Sequence, residues 1–225
     1  MTLDEALRSS LWSQALEAAE LARVRRELVE RAVPQGGYVC RNGEPVTHWI
    51  GVIDGLVKLS IVSPEGKTAT LTGVPSGGWF GEGSMLKTET RRYDAVALRE
   101  TRVALMPRGT FNRLLDTSIG FNRFLLNQLN ERLAQFIAML EYERLLDPDA
   151  RVARSLWWLF NPLLYPRGDP KLEVSQEELG YLTGISRQRV NQALGALERA
   201  GLLRLEYGGV TVLDIEGLHR FGTTG

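Results

Sequence analysis

Followed for its spacing of apolar and polar positions, the chain falls into three textures. From Leu3 to about Val33, Leu3, Leu7, Leu11, Leu16 and Leu21 sit among charges, a spacing that predicts one or two short helices. From Pro34 to Pro107 the pattern changes to short apolar runs at 38–41, 49–53, 56–62, 69–74 and 103–106. Gly36-Gly37, Asn42-Gly43, Asp54-Gly55, Glu65-Gly66 and Gly77-Gly78 separate them. Such pairs are turn formers, and strands this short and regularly spaced predict a sandwich or jelly roll. From about Thr110 to Leu146 the pattern is helical again. Leu126, Leu129, Leu133, Phe136 and Leu140 step by three, four, three and four residues, which is a heptad seam. A seam this short suits a helix lying on its own β-roll or a helix paired with another, and the pattern alone leaves both open.

Asp147-Pro148-Asp149 ends that helix and starts the next, with Asp147 as N-cap and Pro148 at the first helical position. The expected division is therefore residues 1–146, with a long helix over about 110–146, and residues 147–225. Within the second part, Ser175-Gln176-Glu177-Glu178 is a capping box in which the Ser175 hydroxyl and the Glu178 carboxylate satisfy the first turn reciprocally. Leu179 and Leu182 then face inward, and Gly184 supplies a tight turn. Ser186 caps a second helix whose Val190, Leu194 and Leu197 point to the core, as does Ile185. Arg187, Gln188, Asn191 and Gln192 occupy the opposite stripe. A merely structural helix carries Glu and Lys on its wet face, whereas these four can pair with guanine and adenine edges in a major groove. Residues 202–205 and 210–213 around Gly208-Gly209 read as a hairpin wing.

Composition narrows the chemistry. The chain has 225 residues, 44% of them hydrophobic, and 27 basic residues balance 27 acidic ones. No overall basic balance marks a nucleic-acid binder, and acids slightly outnumber bases after residue 146. Phosphate contacts would come from a few placed residues such as Arg187, Arg189, Arg199 and Arg204. Cys40 is the single cysteine, so one chain can build neither a disulfide framework nor a cysteine-ligated cluster. With His48 and His219 as its only histidines, a histidine-built metal site is not expected. No apolar run approaches the roughly 18 residues of a membrane span, and no signal peptide is apparent at the start, so a cytoplasmic home is expected.

These features together resemble the cyclic-AMP receptor protein/FNR (Crp/Fnr) family of transcription regulators. The resemblance is carried by the glycine-spaced roll, the Gly77-Gly78-Trp79-Phe80-Gly81-Glu82 run and the long helix through Arg132. Leu146-Asp147 with Arg151, and Ser186-Arg187-Gln188-Arg189-Val190, extend it to nearly the whole length. It implies an α+β chain: an N-terminal double-stranded β-helix (jelly roll) of the cyclic-nucleotide-binding type, a dimerisation helix, and a C-terminal winged helix-turn-helix. It further implies a homodimer on double-stranded DNA that contacts RNA polymerase, with Leu126, Leu129, Leu133, Phe136 and Leu140 as the seam. The DNA contacts would come from Arg187, Gln188, Arg189, Asn191, Gln192, Arg199 and Ser175. Neither an enzyme nor a membrane protein is expected; a cyclic-nucleotide-sensing interaction module and a cupin-type metalloenzyme are the alternative readings.

In cyclic-nucleotide-binding relatives a Gly-Glu pair opens a short helix that cradles the phosphate, and a downstream arginine neutralises it. Gly81 and Glu82 match the pair, the arginine falls on Arg91 or Arg92, and Arg132 matches a family arginine on the long helix. Two departures follow. After the arginine come Tyr93 and Asp94 in place of a small hydroxyl residue, and Phe136 and Ile137 stand where relatives carry hydroxyls that contact adenine. Cyclic AMP is therefore not the expected effector, and neither an iron–sulfur cluster nor haem is expected; the effector itself is not named by the sequence. The reading helix departs too. Relatives that read TGTGA carry arginine, glutamate and a second arginine where this chain has Arg187, Gln188 and Gln192, so a different half-site is expected.

Overall fold

Short amphipathic helices open the chain: α1 (Leu3–Ser9), α2 (Leu11–Gln14) and α3 (Ala18–Glu27). The structure, a computed structural model, describes residues 1–87, 89–145, 147–166 and 169–222, the side chains of 143–145 excepted. Leu146 of the expected hinge thus lies outside the described residues. The helical expectation to Val33 runs one element too far, because β1 (Val29–Val33) is a strand. It pairs antiparallel with β8 (Thr101–Pro107), Val29 opposite Leu105 and Val33 opposite Thr101. A tertiary partner for the two valines outweighs the charged, helix-like texture of Glu30 and Arg31.

Between these lie β2 (Tyr38–Cys40), β3 (His48–Asp54), β4 (Leu56–Val62), β5 (Thr68–Pro75), β6 (Trp79–Phe80), α4 (Glu82–Lys87) and β7 (Asp94–Ala97). They form a β-roll of two antiparallel four-stranded sheets, ordered β1-β8-β3-β6 and β2-β7-β4-β5. Two helices follow, α5 (Arg108–Thr117) and α6 (Ile119–Leu145). Trp12, Trp49, Trp79, Phe111 and Phe121 pack together where α2, the roll and these helices meet. Trp49 and Trp79 centroids lie 4.5 Å apart, and Trp12 meets Trp79 edge-on at 5.1 Å. Aromatic pairs of this geometry each contribute about 0.5–1.5 kcal/mol beyond area burial. The Trp79 indole N–H is satisfied by the Ser10 hydroxyl at 3.0 Å.

Contacts divide the chain into two compact units, Met1–Leu133 with Pro162–Pro166, and Ala134–Asn161 with Arg167–Gly225. The second unit begins in α6 and contains α7 (Pro148–Trp158), β9 (Lys171–Glu173), α8 (Gln176–Thr183), α9 (Arg187–Arg199), β10 (Leu203–Glu206), β11 (Gly209–Val212) and α10 (Ile215–Arg220). Asp147 caps α7 by accepting the Asp149 and Ala150 N–H groups at 2.8 and 3.0 Å, with Pro148 in the first turn. α7 packs on α8, α9 and α10. Ala153 and Leu156 of α7, Val190, Leu194 and Leu197 of α9, and Leu218 of α10 are buried. The hairpin β10–β11 gains a third strand, β9, which the sequence reading did not assign.

Candidate DNA-reading surface and effector pocket

Helix α8 starts with the expected capping box. The Ser175 hydroxyl accepts the Glu178 N–H at 3.1 Å, and the Glu178 carboxylate accepts the Ser175 N–H at 2.6 Å. Gly184 closes α8 at φ 66°, a left-handed conformation that glycine adopts without a Cβ clash. Ser186 then caps α9, accepting the Arg189 N–H at 3.3 Å. On α9 the side chains sort as the spacing requires. Val190, Ala193, Leu194 and Leu197 are buried, while Arg187, Gln188, Asn191, Gln192 and Arg199 are exposed. Gln176, at the start of α8, donates to the Asn191 carbonyl oxygen at 2.9 Å and so aims the Asn191 amide. Arg189 is half-buried and lies 2.5 Å from Asp149 of α7, which engages its charge inside the unit. In the wing, Glu206 accepts from Thr211 at 2.6 Å and lies 3.4 and 3.3 Å from Lys171 and Arg204. Those contacts, the Thr211 hydroxyl first, hold the Glu206 carboxyl below the usual carboxylate range. Tyr207 stands fully exposed at the wing tip, beside Gly208 at φ 74°.

Helix α6 is amphipathic in the reverse of the usual sense. Its buried positions include the polar Gln128, Arg132 and Gln135, spaced four and three residues apart. Its apolar seam faces outward, with Leu126 67%, Leu133 58% and Leu140 59% exposed and Ile137 open beside them. Of the five seam residues only Leu129 is half-buried; Phe136 is exposed as well. A contiguous apolar stripe of this kind on a helix marks a surface that a partner covers.

Gln128 and Arg132 are buried, and Gln128 donates to the Trp79 carbonyl at 2.8 Å. Gly81, at φ 92°, leaves its Cβ direction to Arg91: an ideal Cβ there would fall 2.2 Å from the Arg91 Nη1 atom. Glu82 opens α4 and is buried, as are Arg91 and Arg132. Arg132 donates to the Tyr165 hydroxyl at 2.6 Å and to the Trp79 carbonyl at 3.0 Å, and its Nε lies 3.9 Å from Glu82. Burial opposes the Arg132 charge, but Tyr165 and Glu82 outweigh it and raise the pKa. The Tyr93 phenol is held well above its usual range by burial and then by the Glu82 carboxylate. Arg91 donates to the His48 carbonyl, and its own backbone is held by Gly43 and Glu44. Two polar atoms of this cluster, Glu82 Oε2 and Arg91 Nη1, are buried with no hydrogen-bond partner among the described residues. A buried orphan costs about 1–3 kcal/mol, and a ligand oxygen and hydroxyl would relieve both.

Residues 30–118 match the cyclic nucleotide-binding domain family, and residues 150–221 match the Crp-like helix-turn-helix domain family. Transcriptional regulator SdrP of Thermus thermophilus is 32% identical over 169 residues, 74% of this chain and 80% of that protein. The chain belongs to the Crp/Fnr family of transcription regulators. The CRP-like cAMP-activated global transcriptional regulator of Mycobacterium tuberculosis is 29% identical over 221 residues, 97% of this chain and 99% of that protein. The structure of FixK2 from Bradyrhizobium japonicum superposes with a TM-score of 0.72 at 18% identity, covering 88% of this chain and 98% of that one, which supports the fold. As a Crp/Fnr regulator the chain carries a DNA-binding helix-turn-helix, and α8 and α9 are its two helices. Among the described residues no helix is long and apolar enough to cross a membrane.

Of the two arginines the resemblance to Crp/Fnr relatives left open, Arg91 is the buried one, its guanidinium beside Gly81. Arg92 is exposed and pairs with Glu89 at 2.9 Å. Asp94, a carboxylate that would oppose an anion, accepts the Asn42 N–H at 2.8 Å and is engaged by that turn. Gly81, Glu82, Arg91 and Arg132 come together, while Phe136 and Ile137 are exposed on α6. Sequence reasoning did not single out Tyr165 or Gln128, and it gave Tyr93 and Gln176 no contact role of their own. The step of Gln128 to Arg132 to Gln135 on one helical face was a signal for the first α6 member, since polar residues at core spacing need partners. Nothing local to Tyr165 announces a partner 33 positions earlier in the chain.

Proposed function

We propose that this chain is a cytoplasmic homodimer that binds a pseudo-palindromic operator through α9, contacts RNA polymerase, and takes its activity from a small effector in the β-roll. Residues 1–146 would form the sensor with its dimerisation helix, and residues 147–225 the DNA-binding domain. The observation that carries the reading is the exposed stripe Arg187, Gln188, Asn191 and Gln192 on a helix whose opposite face is fully buried. Arg187 reads a guanine in a bidentate contact, and the three amides read neighbouring base edges. The outward seam Leu126, Leu129, Leu133, Phe136 and Leu140 supports an isologous pairing of two α6 helices.

The orphaned Glu82 and Arg91 atoms support an effector with an anionic group. The Mycobacterium tuberculosis relative is described as cAMP-activated. Here Phe136 and Ile137, which stand where relatives carry hydroxyls that contact adenine, can make no such hydrogen bond, so cyclic AMP is not the effector this reading favours. The experiment is fluorescence anisotropy over single-base variants of an operator recovered by genome-wide binding-site mapping. Arg187→Ala is expected to cost about 1–3 kcal/mol per half-site and to relax preference at one base pair. Unchanged affinity and base preference would show that α9 is not the reader.

A further inference from the structure

We propose that Pro162–Pro166 is a strap latched to the β-roll by Tyr165, and that its docking holds the chain in its weak DNA-binding state until another group takes over Arg132. The inference rests on the reading of α9 as the operator-binding helix. In the chain the strap follows α7, yet its contacts place it with the unit that contains the roll. Pro162 and Pro166 each fix φ near −65°, which presets the run Leu163-Leu164-Tyr165 between them. Leu164 and Tyr165 are buried, the tyrosine completely.

The roll is shaped to receive this run. A Cβ on Gly78 would lie 2.7 Å from the Tyr165 ring, and a Cβ on Gly77 would lie 3.2 Å from the Pro166 carbonyl. The Gly77-Gly78 pair is thus the seat of the strap as well as a turn. The Tyr165 hydroxyl accepts from Arg132 Nη1 at 2.6 Å, and the guanidinium carbon lies 5.2 Å from the ring centroid. Leu163, Leu164 and Pro166 close over a pocket of about 10 Å³ that Trp12, Trp79, Phe124 and Gln128 line from the other side. That is room for about one water molecule, so the strap is seated closely.

The latch has the chemistry of an exchangeable contact. Arg132 is a buried cation that shares the pocket with Glu82, and its hydrogen bond to Tyr165 is to a neutral oxygen. An anionic oxygen makes a shorter and stronger bond to a guanidinium than a phenol does. A ligand that brings one to Arg132 displaces Tyr165. The strap then loses its anchor, and only Leu159, Phe160 and Asn161 separate it from the end of α7. Helix α7 packs on α9 and holds Arg189 through Asp149, so its freedom is passed to the reading helix.

The test uses the full chain and needs no effector. Tyr165→Phe keeps the ring and removes the latch, and Gly78→Ala pushes the ring out from the opposite side; thermal melts followed by circular dichroism check that both remain folded. Hydrogen exchange at the backbone amides of positions 163, 164 and 165 is expected to quicken about 10-fold in Tyr165→Phe, the factor for one hydrogen bond to a charged group. Operator affinity is expected to rise by about the same factor in both variants. Unchanged exchange overturns the latch. Quicker exchange with unchanged or weaker operator binding overturns its role in restraining DNA binding. Because exchange is read without DNA, a wild-type protein that bound no operator would instead overturn the DNA reading, with the latch still decided by exchange.

Discussion

Leu133→Glu probes the outward seam of α6. Leu133 is 58% exposed, so the substitution removes nothing from the interior of the single chain. In a two-fold pairing the same position would bury that surface. Covering about three-fifths of a leucine side chain contributes about 1–2 kcal/mol per copy. Two facing carboxylates about 4 Å apart add repulsion of about 1 kcal/mol in water, and more once desolvated. Dimer dissociation should therefore become easier by about 3–5 kcal/mol, a weakening of roughly 100- to 5,000-fold. Sedimentation velocity over a concentration series reads this directly, and Leu133→Ala should fall between the variant and the parent. A dimer of unchanged affinity in Leu133→Glu would refute the seam as the interface.

Two further outcomes can be checked with standard assays. Arg199→Ala should weaken binding to all DNA sequences alike and reduce the salt slope by about one unit per half-site, as loss of one phosphate contact does; a sequence-selective loss would contradict that role. The Glu27 carboxyl is lowered to about 2, first by the Thr110 hydroxyl at 2.6 Å, with Arg113 and Arg23 adding to it against burial. Because its folded pKa is depressed, its stabilisation is complete above the unfolded value near 4.5 and is lost as pH falls through about 2. Glu27→Gln should then cost about 1 kcal/mol at neutral pH in urea titrations and little near pH 2, and a cost that does not change with pH would contradict the pairing.

The legibility of this chain follows the range of the interactions involved. Caps and turns are local, so Ser175 with Glu178, Asp147 before Pro148, and Gly184 at positive φ all stand where the spacing placed them. Helix α9 was legible for the same reason, since one buried and one exposed face repeat every few residues. Strand β1 was not, because its identity depends on β8, far later in the chain. The choice between Arg91 and Arg92 turned on which side chain is buried, and they lie in a bend before β7 where no strand or helix period sorts neighbours. The pairing of Arg189 with Asp149 was not legible either, because the carboxylate comes from another helix. Tyr165 lay beyond sequence reasoning altogether, since its partner is set by how the strap folds back.

The acids around the reading helix bear on how this protein searches a genome. Asp149 answers Arg189, and Glu206 answers both Lys171 and Arg204, so three cations on and around α9 and the hairpin are partly neutralised within their own unit. Each cation so answered is one fewer counterion released on arbitrary duplex, and non-specific affinity is built almost entirely from such release. Chromosomal DNA offers on the order of 10⁶ or more competing sites, which act as a sink for any strongly basic protein. A charge-balanced regulator is held back less by that sink. If α9 reads bases as proposed, more copies of such a protein would stay off the wrong DNA, and occupancy of an operator would rest on base contacts more than on charge.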